Sequence, residues 1–187
     1  MTPLELLGRP SKILAGVIVF QRPHVFRDAR GTYDQIFDTP LHTAQGCPSV
    51  FMQDCVAVSR KDVLRGIHGD MSTWKLVTCL AGSFQLVVVD NRKDSTTYLK
   101  HTSFVLHGSD MLTAEHPIQV LVPPGFGNGH LILSESAMFH YKQSTSYDRG
   151  SQFTLRWDDP ALRISWKLDG RQPILSERDA NASLISL

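Results

Sequence analysis

Residues 75–90, Lys75-Leu76-Val77-Thr78-Cys79-Leu80-Ala81-Gly82-Ser83-Phe84-Gln85-Leu86-Val87-Val88-Val89-Asp90, carry the pattern that decides the fold. Residues 75–80 and 83–90 read as strands, and the Ala81-Gly82 between them reads as the turn of a hairpin. Val87-Val88-Val89, like Val120-Leu121-Val122 further on, is apolar at consecutive rather than alternate positions, which calls for strands covered on both faces. By alternation Lys75 shares a face with Val77 and Cys79, which puts an ammonium on an otherwise apolar surface.

The same signals repeat outward from this stretch. Residues 13–21 and 50–59 are further strands, the second closed by Arg60-Lys61-Asp62. Downstream come a turn at 91–95, a strand over 96–106, a turn at 107–110 and a strand over 118–122. The bend Pro123-Pro124-Gly125 follows, then two strands flanking Ser134-Glu135-Ser136. Helical periodicity is scarce: only residues 159–163 and the tail after Ser176 suit short helices, with 182–187 a mobile or docking tail. Many short strands at this spacing predict an all-β sandwich or barrel.

The chain has 187 residues, 42% of them hydrophobic and 20% charged, enough for one domain over 1–187 with its own core. Lys plus Arg number 19 against 18 Asp plus Glu, so the formal charge of +1 argues against a nucleic-acid partner. No apolar run approaches the roughly 20 residues of a membrane-spanning helix, and the start, MTPLELLGRP, has no signal-peptide pattern. The expected setting is the cytoplasm. Cys47, Cys55 and Cys79 form no paired motif and are expected as free thiols.

Four places combine polar residues with strand context. In Arg65-Gly66-Ile67-His68-Gly69-Asp70 a histidine is flanked by glycines, which let a ligand or another backbone approach closely. Lys75 is the second. Pro123-Pro124-Gly125-Phe126-Gly127-Asn128-Gly129-His130 is a Gly-rich bend at a strand end, and Phe139-His140-Tyr141-Lys142 places a tyrosine in a strand.

In order, the chain resembles the nucleotide-sugar 3,5-epimerases related to dTDP-4-dehydrorhamnose 3,5-epimerase. The matching stretches are Val25-Phe26-Arg27-Asp28-Ala29-Arg30-Gly31, Gln53-Asp54, Val63-Leu64-Arg65-Gly66-Ile67-His68, Lys75-Leu76-Val77, Val88-Val89-Asp90-Asn91-Arg92-Lys93-Asp94-Ser95, Pro124-Gly125-Phe126, Tyr141-Lys142, Trp157-Asp158-Asp159-Pro160 and Ser176-Glu177-Arg178-Asp179. The likeness spans about residues 12–180. It implies a cupin-like antiparallel jelly roll with short C-terminal helices, and a homodimer. Residues 64–70, 75–79, 92–100 and Gly127-Asn128-Gly129-His130 are most similar to a branch acting on GDP-linked 4-keto-6-deoxy heptoses. The rhamnose-pathway enzymes usually have Ala-His-Gly-Phe in that last place, often Glu at Gln35, and often Asn at Cys55.

The resemblance implies inversion at C3, with or without C5, of a nucleotide-linked 4-keto-6-deoxy sugar through an enolate. His68 is the implied base, Asp179 its carboxylate partner, Tyr141 the acid on the opposite face and Lys75 the cation at the enolate oxygen. Arg30 and Arg65 are diphosphate candidates. Tyr147 and Phe26 are candidates for stacking on the base, and Gln53, Asp28 and Asn128 for the sugar. At the positions of a cupin metal site stand His68, Asp70, Lys75 and Asn128; an ammonium binds no divalent cation, so neither metal nor other cofactor is expected. The alternatives are a C3-only epimerase or 3,4-ketoisomerase on the same fold, a non-catalytic sugar-binding module, and, weakest, a metal-dependent oxygenase.

Overall fold

The computed structural model describes residues 7–22, 25–110 and 117–186. Thirteen strands are present among them: β1 (Leu7–Pro10), β2 (Ile18–Gln21), β3 (Val25–Asp28), β4 (Gly31–Asp34), β5 (Gln53–Arg60), β6 (Leu64–Gly69), β7 (Lys75–Ala81), β8 (Ser83–Asp90), β9 (His101–His107), β10 (Ile118–Val122), β11 (Phe126–Ile132), β12 (Ser136–Gln143) and β13 (Phe153–Thr154). The α-helices are α1 (Thr39–Thr43) and α2 (Glu177–Ala180), each about one turn, and Arg149–Ser151 form a single 3-10 turn. One sheet runs β1-β2-β10-β7-β12-β5 and a second runs β13-β6-β11-β8-β9; β3 and β4 pair only with each other. The pairings between these strands are antiparallel.

The consecutive apolar runs are explained by three packed layers of contact. Val77 and Cys79 of β7 and Val120 and Val122 of β10 face Leu86 and Val88 of β8 in the core between the sheets. The alternate residues point outward and are also covered. Leu76 and Leu121 pack with Phe20 and Cys47 under Phe37, Leu41 and Phe51, on the segment around α1. Val87 and Val89 pack with Ile67 under Leu155, Leu162 and Trp166 of the C-terminal segment. Water is thus excluded from both faces of β8, which is buried along its whole length. These features are those of a cupin-like antiparallel jelly roll.

Ala81-Gly82 is not a hairpin turn. β7 and β8 belong to different sheets, so the chain crosses the sandwich there. Gly82 has φ +70, and a Cβ on it would strike the Ser136 carbonyl and lie 2.6 Å from Ser134 Oγ. The second crossing, between β11 and β12, occupies that space. Three other expectations shift. Ser11 Oγ accepts from the Ile13 and Leu14 amides and holds a turn, so the strand expected from 13 begins at Ile18. The strand expected from 96 begins at His101, because Ser95 and Thr97 are tied to Asp90. Residues 159–163 form turns rather than a helix: Asp159 accepts from the Ala161 and Ile185 amides, which also docks the tail onto the body.

Candidate active site

β6 and β11 approach so closely that side chains would not fit between them. A Cβ on Gly66, whose φ is +113, would lie 2.6 Å from Gly129 Cα and 2.7 Å from Asn128 O. The glycines beside His68 therefore serve the approach of another backbone, and they set His68 directly opposite Asn128. His68 Nε2 lies 2.6 Å from Asp179 Oδ1. Asp179 is the third residue of α2, capped by Ser176, whose hydroxyl both accepts from the Asp179 amide and donates to Asp179 Oδ2. The Gly66 amide adds a longer contact at 3.4 Å. Burial alone would raise the Asp179 pKa, but the bonds from His68, Ser176 and Gly66 outweigh it and hold the carboxyl below its usual range.

His68 opens onto a cavity of about 500 Å³ whose other wall is the first sheet. Lys75, at the start of β7, is buried there, as its alternation with Val77 and Cys79 requires. Its Nζ reaches across to Asn128 Oδ1 at 3.4 Å, a long bond for an ammonium with three protons to share. Burial lowers its pKa, Asp70 opposes that and Arg178 adds to it. Tyr141 on β12 faces Cys55 of β5 and lines the same space. Burial first, and Cys55 next, push its phenol well above the ordinary value, so it stays protonated.

The cavity also takes in Arg65, Gln53, Asn128 and Tyr147. Gln53 Oε1 accepts from the Tyr147 amide at 2.8 Å, tying the loop after β12 to the rim. Phe26, Asp28 and Arg30 are not brought there. They lie on the β3–β4 hairpin, where Arg30 and Asp28 pair with each other and the Phe26 ring meets Tyr33 at 6.4 Å. Asp70 does not face a ligand either: its Oδ1 accepts from the Ser72 and Thr73 amides and closes its own turn. Among the described residues no three His, Cys, Asp or Glu side chains converge as metal ligands.

Sequence reasoning missed, among the lining residues, Arg178, Gln152 and His130. Arg178 is one residue from Asp179, yet its guanidinium turns to Thr154 Oγ1 at 2.7 Å and to Gln152. Neither Arg65 nor Arg178 has an ion-pair partner among the described residues. The third, His130, alternates with Asn128 along β11, and that spacing was the available signal. Cys55 is half-buried at the cavity, while burial lifts the Cys47 and Cys79 thiols to about 12; all three are free.

An all-β sandwich holding a carboxylate-backed imidazole, a buried ammonium and a phenol in one cavity has the groups that proton transfer at a carbon next to a carbonyl requires. The family described as dTDP-4-dehydrorhamnose 3,5-epimerase matches over residues 11–186, and the chain belongs to that family. It is an isomerase, an epimerase of nucleotide sugars. The dTDP-4-dehydrorhamnose 3,5-epimerase of Shigella flexneri is 34% identical over 169 residues, 88% of each chain. The dTDP-6-deoxy-D-glucose-3,5-epimerase of Legionella pneumophila, solved in complex with dTDP-4-keto-L-rhamnose, superposes with a TM-score of 0.86 at 31% identity, covering 96% of this chain and 93% of that one. A 3'-monoepimerase from Streptomyces bikiniensis, in complex with dTDP-quinovose, gives 0.82 at 31%, covering 94% and 86%.

Proposed function

We propose that the chain inverts C3 and then C5 of a nucleoside-diphospho-4-keto-6-deoxy sugar without a metal. His68 donates a hydrogen bond from its Nε2–H to the Asp179 carboxylate and takes the C3 proton on its other ring nitrogen. The bond electrons move to the C4 oxygen as an enolate, which the Lys75 ammonium stabilises at closer range than its long bond to Asn128. Tyr141 delivers a proton to the opposite face of C3 and regains one from solvent. The observation that carries this reading is that His68 and Tyr141 line one cavity from two different sheets, with Lys75 buried beside them. The unpaired Arg65 and Arg178 suit a diphosphate, and Tyr147 at the rim suits the base.

Relatives named for dTDP-linked sugars favour that nucleotide. A second reading, a GDP-linked 4-keto-6-deoxy heptose, is favoured by Gly127-Asn128-Gly129-His130, two of whose side chains line the cavity. C3-only inversion is favoured by the similarity to a monoepimerase. A homodimer fits the placement of Phe26, Asp28 and Arg30: on an exposed hairpin outside their own cavity, they would serve as nucleotide contacts in a second copy. The exposed Val56, Val58 and Met138 of β5 and β12 offer such a copy an apolar face. Among the described residues no helix is long and apolar enough to cross a membrane; a cytoplasmic enzyme follows from where activated sugars are made.

The test is deuterium uptake from heavy water at C3 and C5, followed by NMR, with dTDP- and GDP-linked 4-keto-6-deoxy sugars. Uptake at both carbons with inversion is expected, and uptake at C3 alone would establish the monoepimerase. No uptake with either nucleotide would overturn the reading.

A further inference from the structure

The cavity holds a second imidazole that this chemistry does not use. His130 is 4% exposed, and its Nε2 is enclosed with no hydrogen-bond partner in the chain. Its ring stacks flat on Phe139, with centroids 3.9 Å apart and planes 6° from parallel, and tilts against Phe84 at 5.5 Å. Burial first, then Arg65 and His68, push its pKa down to about 3, so it is a neutral donor–acceptor at any working pH. A buried polar atom without a partner calls for a group that supplies one.

The place of His130 in the sheet says which group. It stands directly opposite Arg65 on β6, while its neighbour on the same face, Asn128, stands opposite His68. Arg65 is assigned to the diphosphate on the anomeric carbon and His68 to the proton on C3. The carbon between those two is C2. We propose that His130 hydrogen-bonds the C2 hydroxyl of the bound sugar and makes the enzyme selective for 2-hydroxy over 2-deoxy substrates. His130 lines the cavity in which the sugar is placed, so a bound hydroxyl comes within reach of its ring. The Phe139 and Phe84 contacts fix the ring plane.

The proposal rests on the epimerase reading, and the experiment separates the two. C3 deuterium uptake is measured for dTDP-4-keto-6-deoxyglucose and its 2-deoxy counterpart, with wild-type protein and His130→Phe, which keeps an aromatic ring against Phe139. Wild type is expected to favour the 2-hydroxy sugar in kcat/KM by about tenfold or more, and His130→Phe to bring that ratio close to one. An unchanged ratio in the variant would overturn the proposal while leaving His68 as base. Equal wild-type kcat/KM for the two sugars would overturn it even if the variant fails to fold. Absence of uptake by wild type with either sugar would remove the epimerase reading and this role together.

Discussion

His68 Nε2 and Asp179 Oδ1 meet at 2.6 Å, joining β6 to a helix 111 residues further along the chain. A four-residue helix has no stability of its own. Asp179 is positioned instead by the Ser176 cap and by what it accepts from His68 and Gly66. Replacing Asp179 by Asn keeps the shape but removes the charge that supports an imidazolium and fixes its tautomer. We expect kcat to fall on the order of 10²–10⁴-fold, read by C3 deuterium uptake, and an unchanged rate would remove the pair from the mechanism.

Tyr141→Phe separates the two half-reactions. With His68 as the proposed base, it would still take and return the C3 proton on one face, so deuterium uptake should persist. Inversion should fall by about 100-fold or more, since a positioned acid contributes on that order. Equal loss of uptake and inversion would mean that Tyr141 does not act as the opposite-face acid.

Lys75 sets activity against stability. Its pKa is lowered chiefly by burial, so the fold disfavours its charged form. The sign follows: below the lowered pKa the charge costs stability, and stability is gained as pH rises through that value toward the ordinary 10.5. Lys75→Met should therefore hold or raise Tm at neutral pH while cutting kcat by about 10²–10³-fold. A lowered Tm with normal turnover would reverse the assignment. In wild type the alkaline limb of kcat should lie below 10.5.

Asp90 marks the acid limit of the fold. Burial would raise its pKa, but hydrogen bonds from Arg92, Ser95 and Thr97 outweigh it and hold the carboxyl well below its ordinary value of 3.8. The stability it lends is complete above that unfolded value and is lost as pH falls toward the folded one. Asp90→Asn should cost about 1.5–3 kcal/mol at neutral pH and flatten the fall of Tm below pH 4. A variant with wild-type acid sensitivity would contradict this.

Gly66→Ala tests the close approach of β6 and β11. Its Cβ would meet backbone at 2.6 and 2.7 Å in a left-handed conformation. A loss of about 3 kcal/mol is expected, measured by denaturant unfolding. Retained stability would mean the two strands can part.

Much of this was legible in the sequence because strands announce themselves locally. Alternation placed Lys75 inside with Val77 and Cys79, and the unbroken valines of β8 foretold cover on both faces. The crossing at Ala81-Gly82 was not legible, since a glycine at positive φ looks the same in a hairpin and between sheets; β10 and β12, distant in sequence, decide it by pairing with β7. Likewise nothing local separates Arg30, turned to its neighbour Asp28, from Arg178, which reaches the cavity. Both are arginines beside an aspartate.

The imidazole and the phenol are carried by opposite halves of the sandwich, so no backbone segment measures the gap between them. That gap is set by the thickness of hydrocarbon that separates the layers: Val77, Val88, Phe139 and their neighbours act as the spacer of a caliper. A methylene trimmed from this filling would let the jaws drift together, and stereochemistry at a sugar carbon would feel a change made where no sugar ever touches.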